Sequence, residues 1–131
     1  MEKVVLSDYP TQAILDNLHQ NVKANVPSDK LGHISIHGHE WGGLDNGFSR
    51  SHKGAFDAIL AADCLWMPWQ HQNLAKSMLH FLSPAPTARV FVIAGFHTGR
   101  AKMAPFFDVA AEKGLETVSY THLTLPTKRI V

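Results

Sequence analysis

The sequence predicts an α/β fold built on a parallel sheet, and three observations predict it. Two short runs, Phe56–Ala62 and Arg89–Ala94, are almost continuously apolar, the pattern of parallel strands covered on both faces. Stretches with apolar residues every three or four positions alternate with the strand-like runs. Asp, Trp and Gly residues punctuate the carboxyl ends of those runs, where open α/β sheets hold their ligands.

The first strand is Lys3–Ser7, ending at Asp8; Tyr9-Pro10 then forces an extended step, because proline biases its predecessor away from helix. From Thr11 the period changes. Ile14, Leu18, Val22 and Val26 form a helical stripe that Thr11 or Asp8 is placed to cap and Pro27-Ser28-Asp29 ends. His33–His37 is the second strand, followed by the loop Gly38–Gly43. Leu44 to Gly54 is polar and turn-rich without a period, which predicts a surface connection of about ten residues. The third strand, Phe56–Ala62, stops abruptly at Asp63. Cys64–Trp69 is then a loop, and its two tryptophans suggest an apolar lid or pocket wall. Gln70–Leu82 reads as a helix with Leu74, Met78, Phe81 and Leu82 on one face, stopped by Ser83-Pro84-Ala85-Pro86. Arg89–Ala94 is the fourth strand, with the loop Gly95–Gly99 after it. The last helix spans Met103–Lys113, with Gly114 as its stop.

At 131 residues the chain holds one domain. A formal charge of +1, with Lys and Arg scattered, gives no footprint for nucleic acid. The single cysteine excludes an internal disulfide framework and fits a reducing compartment. No run approaches the roughly 18 consecutive apolar residues of a membrane helix, and no signal-peptide pattern opens the chain. The expectation is a cytoplasmic protein with neither membrane nor nucleic-acid partner.

Three signals occur in order, each at a strand's carboxyl end: Asp8-Tyr9-Pro10, Gly38-His39-Glu40-Trp41-Gly42 and Ala62-Asp63-Cys64-Leu65-Trp66. Over about residues 2–117 the chain resembles the seven-β-strand S-adenosylmethionine-dependent methyltransferases, which are Rossmann-like. Within them it is most similar to the family-16 lysine methyltransferase-like group, which includes fungal proteins labelled nicotinamide N-methyltransferase. The resemblance implies S-adenosyl-L-methionine as cofactor and transfer of its methyl group to a protein lysine, an amino terminus or a small amine. It implies that Asp8 accepts hydrogen bonds from the ribose hydroxyls, that Tyr9 lies beside ribose and adenine, and that Trp41 contacts the adenine. Ala62 would leave room for the cofactor. Asp63 and Trp66 match an acidic residue followed three positions later by an aromatic, a pair that orients the accepting amine in relatives; here the aromatic is Trp rather than the commoner Tyr or Phe.

Two departures from the family pattern stand out. No G-x-G-x-x-G run occurs anywhere in the sequence. In the family, a first strand carrying such a loop lies at the sheet's centre, between the strands ending at Asp8 and Asp63. Without it those two strands either face a gap or pair directly, and the expectation is a fragment of weak or no activity. Val118 to Thr127, VSYTHLTLPT, resembles the conceptual translation of a sequencing adapter. Residues 1–117 are therefore read as a partial methyltransferase domain and 118–131 as a non-native tail.

Plainer readings stand beside these. Asp8 is equally placed to be a turn residue, and Trp41 to cap the core. Cys64 suggests a nucleophile, but an unpaired cysteine of this kind is ordinarily inert. His37 and His39 form an H-x-H pair without a third ligand at metal-binding spacing, so no metal is expected. The rival to the enzyme is a non-catalytic α/β binding or interaction module, with Trp66 and Trp69 as its contact surface.

Overall fold

The computed structural model describes residues 3–94 and 103–118. Strand β1 (Val4–Asp8) pairs in parallel with β2 (Ile34–Gly38), Val4 opposite Ile34 and Asp8 opposite Gly38. Strand β3 (Ala58–Ala62) pairs in parallel with β4 (Arg89–Ile93), Ala58 opposite Arg89 and Ala62 opposite Ile93. Parallel neighbours need crossovers. Helix α1 (Gln12–Asn25) followed by a 3₁₀ turn (Ser28–His33) supplies the first, and helix α3 (His71–Phe81) the second.

The Rossmann-like expectation is met in its parallel pairing and its alternation of strand and helix, with one difference. Among the described residues the four strands form two separate two-stranded sheets, β1–β2 and β3–β4, rather than a single sheet. Of the two arrangements foreseen for the strands ending at Asp8 and Asp63, direct pairing is not the one observed among these residues.

The core lies on one face of β3–β4. Ala61, Leu65, Leu74, Ala75, Met78, Met103, Phe106 and Ala110 are buried together, with Val90 and Val92 packed against them. They are brought there by α3 and by helix α4 (Pro105–Lys113), which runs against α3. The opposite face of the same sheet exposes Leu60, Phe91 and Ile93. The apolar runs thus predict burial on both faces, but helices cover only one among the described residues. A continuous apolar run carries no information on which of its faces has a partner.

Local departures have local causes. Thr11 stands at the N-cap position of α1 without a side-chain cap bond, and Asp8 Oδ1 instead accepts from the Tyr9 amide at 2.7 Å. Neither residue fills the capping role open to it. The supposed surface connection contains a short helix, α2 (Gly47–Ser51), whose cap is Asn46: its Oδ1 accepts from the Ser49 amide at 2.8 Å. Ser49 is buried there, and Phe48 reaches Phe81 with ring centroids 5.5 Å apart. Gly114 ends α4 in the left-handed conformation, φ 105°, as expected of a C′ glycine. The loop Gly95–Gly99 and the tail beyond Val118 lie outside the described residues.

Candidate functional site

The carboxyl ends of β1, β2 and β3 carry the three sequence signals. Asp8 is the last residue of β1, and its carbonyl accepts from the His39 amide at 2.8 Å, which continues the β1–β2 ladder one step past Gly38. At Gly38 an added Cβ would lie 2.7 Å from Pro10 Cβ, so only glycine lets the Tyr9-Pro10 turn fold back this closely. Beside Asp8, an open groove of about 410 Å³ runs along α1, lined by Ala13, Ile14, Asn17, Leu18 and Asn21. Tyr9 is exposed.

The loop after β2 is fastened to α3. His39 is buried, and its Nε2 lies 2.9 Å from Ser77 Oγ. The same oxygen accepts from the Gly42 amide at 2.9 Å. Between these two attachments stands Trp41, partly buried and packed against the core. Gly42 adopts φ 85°, a left-handed conformation that favours glycine. Burial holds His39 below its ordinary pKa; the neighbouring His80 lowers it further and Glu40 opposes the shift. His37 stacks on Phe48, with ring centroids 4.4 Å apart. Among the described residues, no three His, Cys, Asp or Glu side chains are grouped to hold a metal ion.

After β3 the chain turns sharply. Asp63 has φ 57°, the one non-glycine residue with positive φ among those described, and Asp tolerates that region better than most. Its amide donates to the Ile93 carbonyl at 2.7 Å. Cys64 follows, partly buried, with Sγ donating to the Ala62 carbonyl at 3.2 Å. Burial pushes the Cys64 thiol up, and the carboxylates of Asp8 and Asp63 push it further. Two acidic groups from different sheets therefore act on one sulfur, and Cys64 and Trp41 pack against one core. Asp8 ends β1, Trp41 stands in the loop after β2 and Asp63 follows β3, so each lies at the carboxyl end of a strand. The raised thiol makes Cys64 a poor nucleophile.

The two loop tryptophans do not form a buried wall. Leu65 goes inward, 2% exposed, whereas Trp66 and Trp69 are 47% and 72% exposed. With Leu65 committed to the core, the next side chain points out, and Trp69 sits on the outer side of the 3₁₀ turn Pro68–Gln70. Ala62 is exposed at the strand end.

Two residues that tie these loops to α3 escaped the sequence reading, Ser77 and His71. Both fall on the face of α3 that buries Leu74, Ala75, Met78 and Phe81, which marks them as needing a partner but does not say which one.

A protein-family model described as lysine methyltransferase matches residues 1–113. The protein N-terminal and lysine N-methyltransferase efm7 of Schizosaccharomyces pombe is 32% identical over 122 residues, 86% of this chain and 46% of its own length. The protein of the same name from Eremothecium gossypii is 30% identical over 123 residues, 86% of this chain and 45% of its length. That from Neurospora crassa is 26% identical over 125 residues, with 86% and 44% covered. The chain spans about half the length of these curated relatives.

Proposed function

The chain belongs to the lysine methyltransferase family, and from that premise we propose that it serves an S-adenosylmethionine-dependent N-methyltransferase acting on a protein lysine or an amino-terminal amine. The relatives' names, protein N-terminal and lysine N-methyltransferase, support that choice of acceptor. The observation that carries the reading is positional: Asp8 ends β1, Trp41 stands in the loop after β2 and Asp63 directly follows β3, so all three lie at the carboxyl ends of parallel strands.

The residues fit an adenosine. Asp8, bordering the groove along α1, offers a carboxylate to two vicinal hydroxyls, an interaction worth about 1.5–3 kcal/mol per charged hydrogen bond. Tyr9 flanks it, and Trp41 offers an indole face, with stacking worth roughly 1–3 kcal/mol per base in other base-binding proteins. Ala62, with a single methyl group, leaves the strand end open. The cofactor, when bound, supplies a methyl group on a sulfonium for in-line displacement. Asp63 holds the N–H of the amine or takes its proton, because an ammonium has no lone pair to attack with. Trp66 borders the acceptor, and alignment supplies most of the help.

Titration calorimetry with S-adenosylhomocysteine tests this. Binding by the chain is expected to be weak and to fall roughly tenfold or more further in Asp8→Asn or Trp41→Ala, and tight binding would overturn the reading of a partial domain. Asp63→Asn should keep that binding and lose methyl transfer to a lysine peptide. Silence of this chain alone accords with the partial domain expected from its sequence, whereas silence of a full-length relative carrying the same motifs overturns the proposal.

A further inference from the structure

We propose that His71 is a positioning residue for the segment that carries Asp63 and Trp66, an inference that rests on the methyltransferase reading above. His71 opens α3 and is 1% exposed. Its Nε2 lies 2.8 Å from the Leu65 carbonyl oxygen. A carbonyl only accepts, so Nε2 carries the hydrogen. The ring meets Phe106 of α4 edge-on, centroids 5.5 Å apart and planes at 87°, which fixes the direction in which that hydrogen points.

The oxygen it grips belongs to the peptide unit joining Leu65 to Trp66. Holding that oxygen fixes the peptide plane, and with it the point from which the Trp66 side chain departs. The Leu65 side chain is buried in the core just before it. At the other end, the Asp63 amide is held by Ile93 while the residue sits at φ 57°. A residue in a sparsely populated conformation persists only where its surroundings over-determine it. The four residues Asp63–Trp66 are thus clamped at both ends, by β4 and by His71.

A purely space-filling role would be met by any apolar side chain of similar volume. What histidine adds is one directed donor. Among the described residues the buried Nδ1 atom has no hydrogen-bond partner, so the contact that directs the ring is the one from Nε2 to the loop.

The test uses the full chain carrying 5-fluorotryptophan, whose ¹⁹F spectrum resolves Trp41, Trp66 and Trp69. His71→Met, which keeps volume and removes the donor, is expected to shift and broaden the Trp66 resonance and spare Trp41. His71→Gln, which returns an N–H at similar reach, restores it. On the wild-type chain, ¹⁵N shifts of the imidazole should report the Nε2–H tautomer, which decides the matter even where the Met variant does not fold. With radiolabelled S-adenosylmethionine and a lysine peptide, His71→Met should lower kcat by roughly 10- to 100-fold, the scale of a small misplacement, with cofactor KM within about twofold. An Nδ1–H tautomer, an unmoved Trp66 resonance in a folded Met variant, or a change in KM alone overturns the inference. Silence of a full-length relative carrying the same motifs overturns the methyltransferase reading instead, and the spectra of this chain still decide whether the clamp exists.

Discussion

His39 Nε2 lies 2.9 Å from Ser77 Oγ, the same oxygen that accepts from the Gly42 amide, so one hydroxyl on α3 holds both flanks of Trp41. Ser77→Ala removes that hydroxyl and leaves a buried imidazole nitrogen and an amide unpaired. The expected loss is about 1–3 kcal/mol, read as a lower urea midpoint with an unchanged slope. Trp41 emission should shift in the folded variant.

Gly42→Ala attacks the same loop from the backbone. At φ 85° a Cβ is strained, and it would lie 2.6 Å from Asn73 Oδ1. We expect a destabilisation of about 1–3 kcal/mol, measured by urea unfolding, together with weaker S-adenosylhomocysteine binding if Trp41 is displaced.

His39 predicts the pH response. Burial holds its folded pKa below the ordinary value near 6.5. Between those two values the unfolded chain binds more protons than the folded one, so stability falls as pH drops through the window. The contribution is fully present above the ordinary value and lost below the lowered one. From about pH 7.5 to about pH 5, the urea midpoint of wild type should fall more than that of His39→Gln. Parallel curves would remove His39 as the cause.

Cys64 reports on the carboxylates. With its thiol pushed up by burial, Asp8 and Asp63, it should alkylate with iodoacetamide more slowly than an unhindered cysteine at about pH 8. Asp8→Asn and Asp63→Asn should each speed the reaction. An unchanged rate in Asp8→Asn would separate β1 from the Asp63 loop.

Much of the fold is legible in local pattern. The runs at Val4–Asp8 and Arg89–Ile93, and the stripe Leu74–Met78–Phe81, mark elements within a residue or two of where they lie. What local pattern lacks is pairing. Nothing in Ala58–Ala62 says that its edge toward β1 has no hydrogen-bonded neighbour among the described residues, or that Leu60 faces outward. Helix α2 is too short to show a period, so Phe48 read as a loop residue although it packs on Phe81. The placement of Asp8 and Asp63 at strand ends, and of Trp41 in the loop after β2, was legible because each follows an apolar run that stops abruptly. Their moorings at Ser77 and His71 were not, because those bonds join positions far apart or lie within a turn of no fixed period.

A single rod thus holds the tiller at two places: Ser77 steers the indole after β2, and His71 steers the acid-bearing bend after β3. Tilting α3 by enlarging Ala75, which is wholly enclosed between them, would swing both lips at once. On the proposed function, cofactor grip and acceptor alignment are then expected to drift as one quantity, and a substitution that improves only one of them has to be sought off this helix.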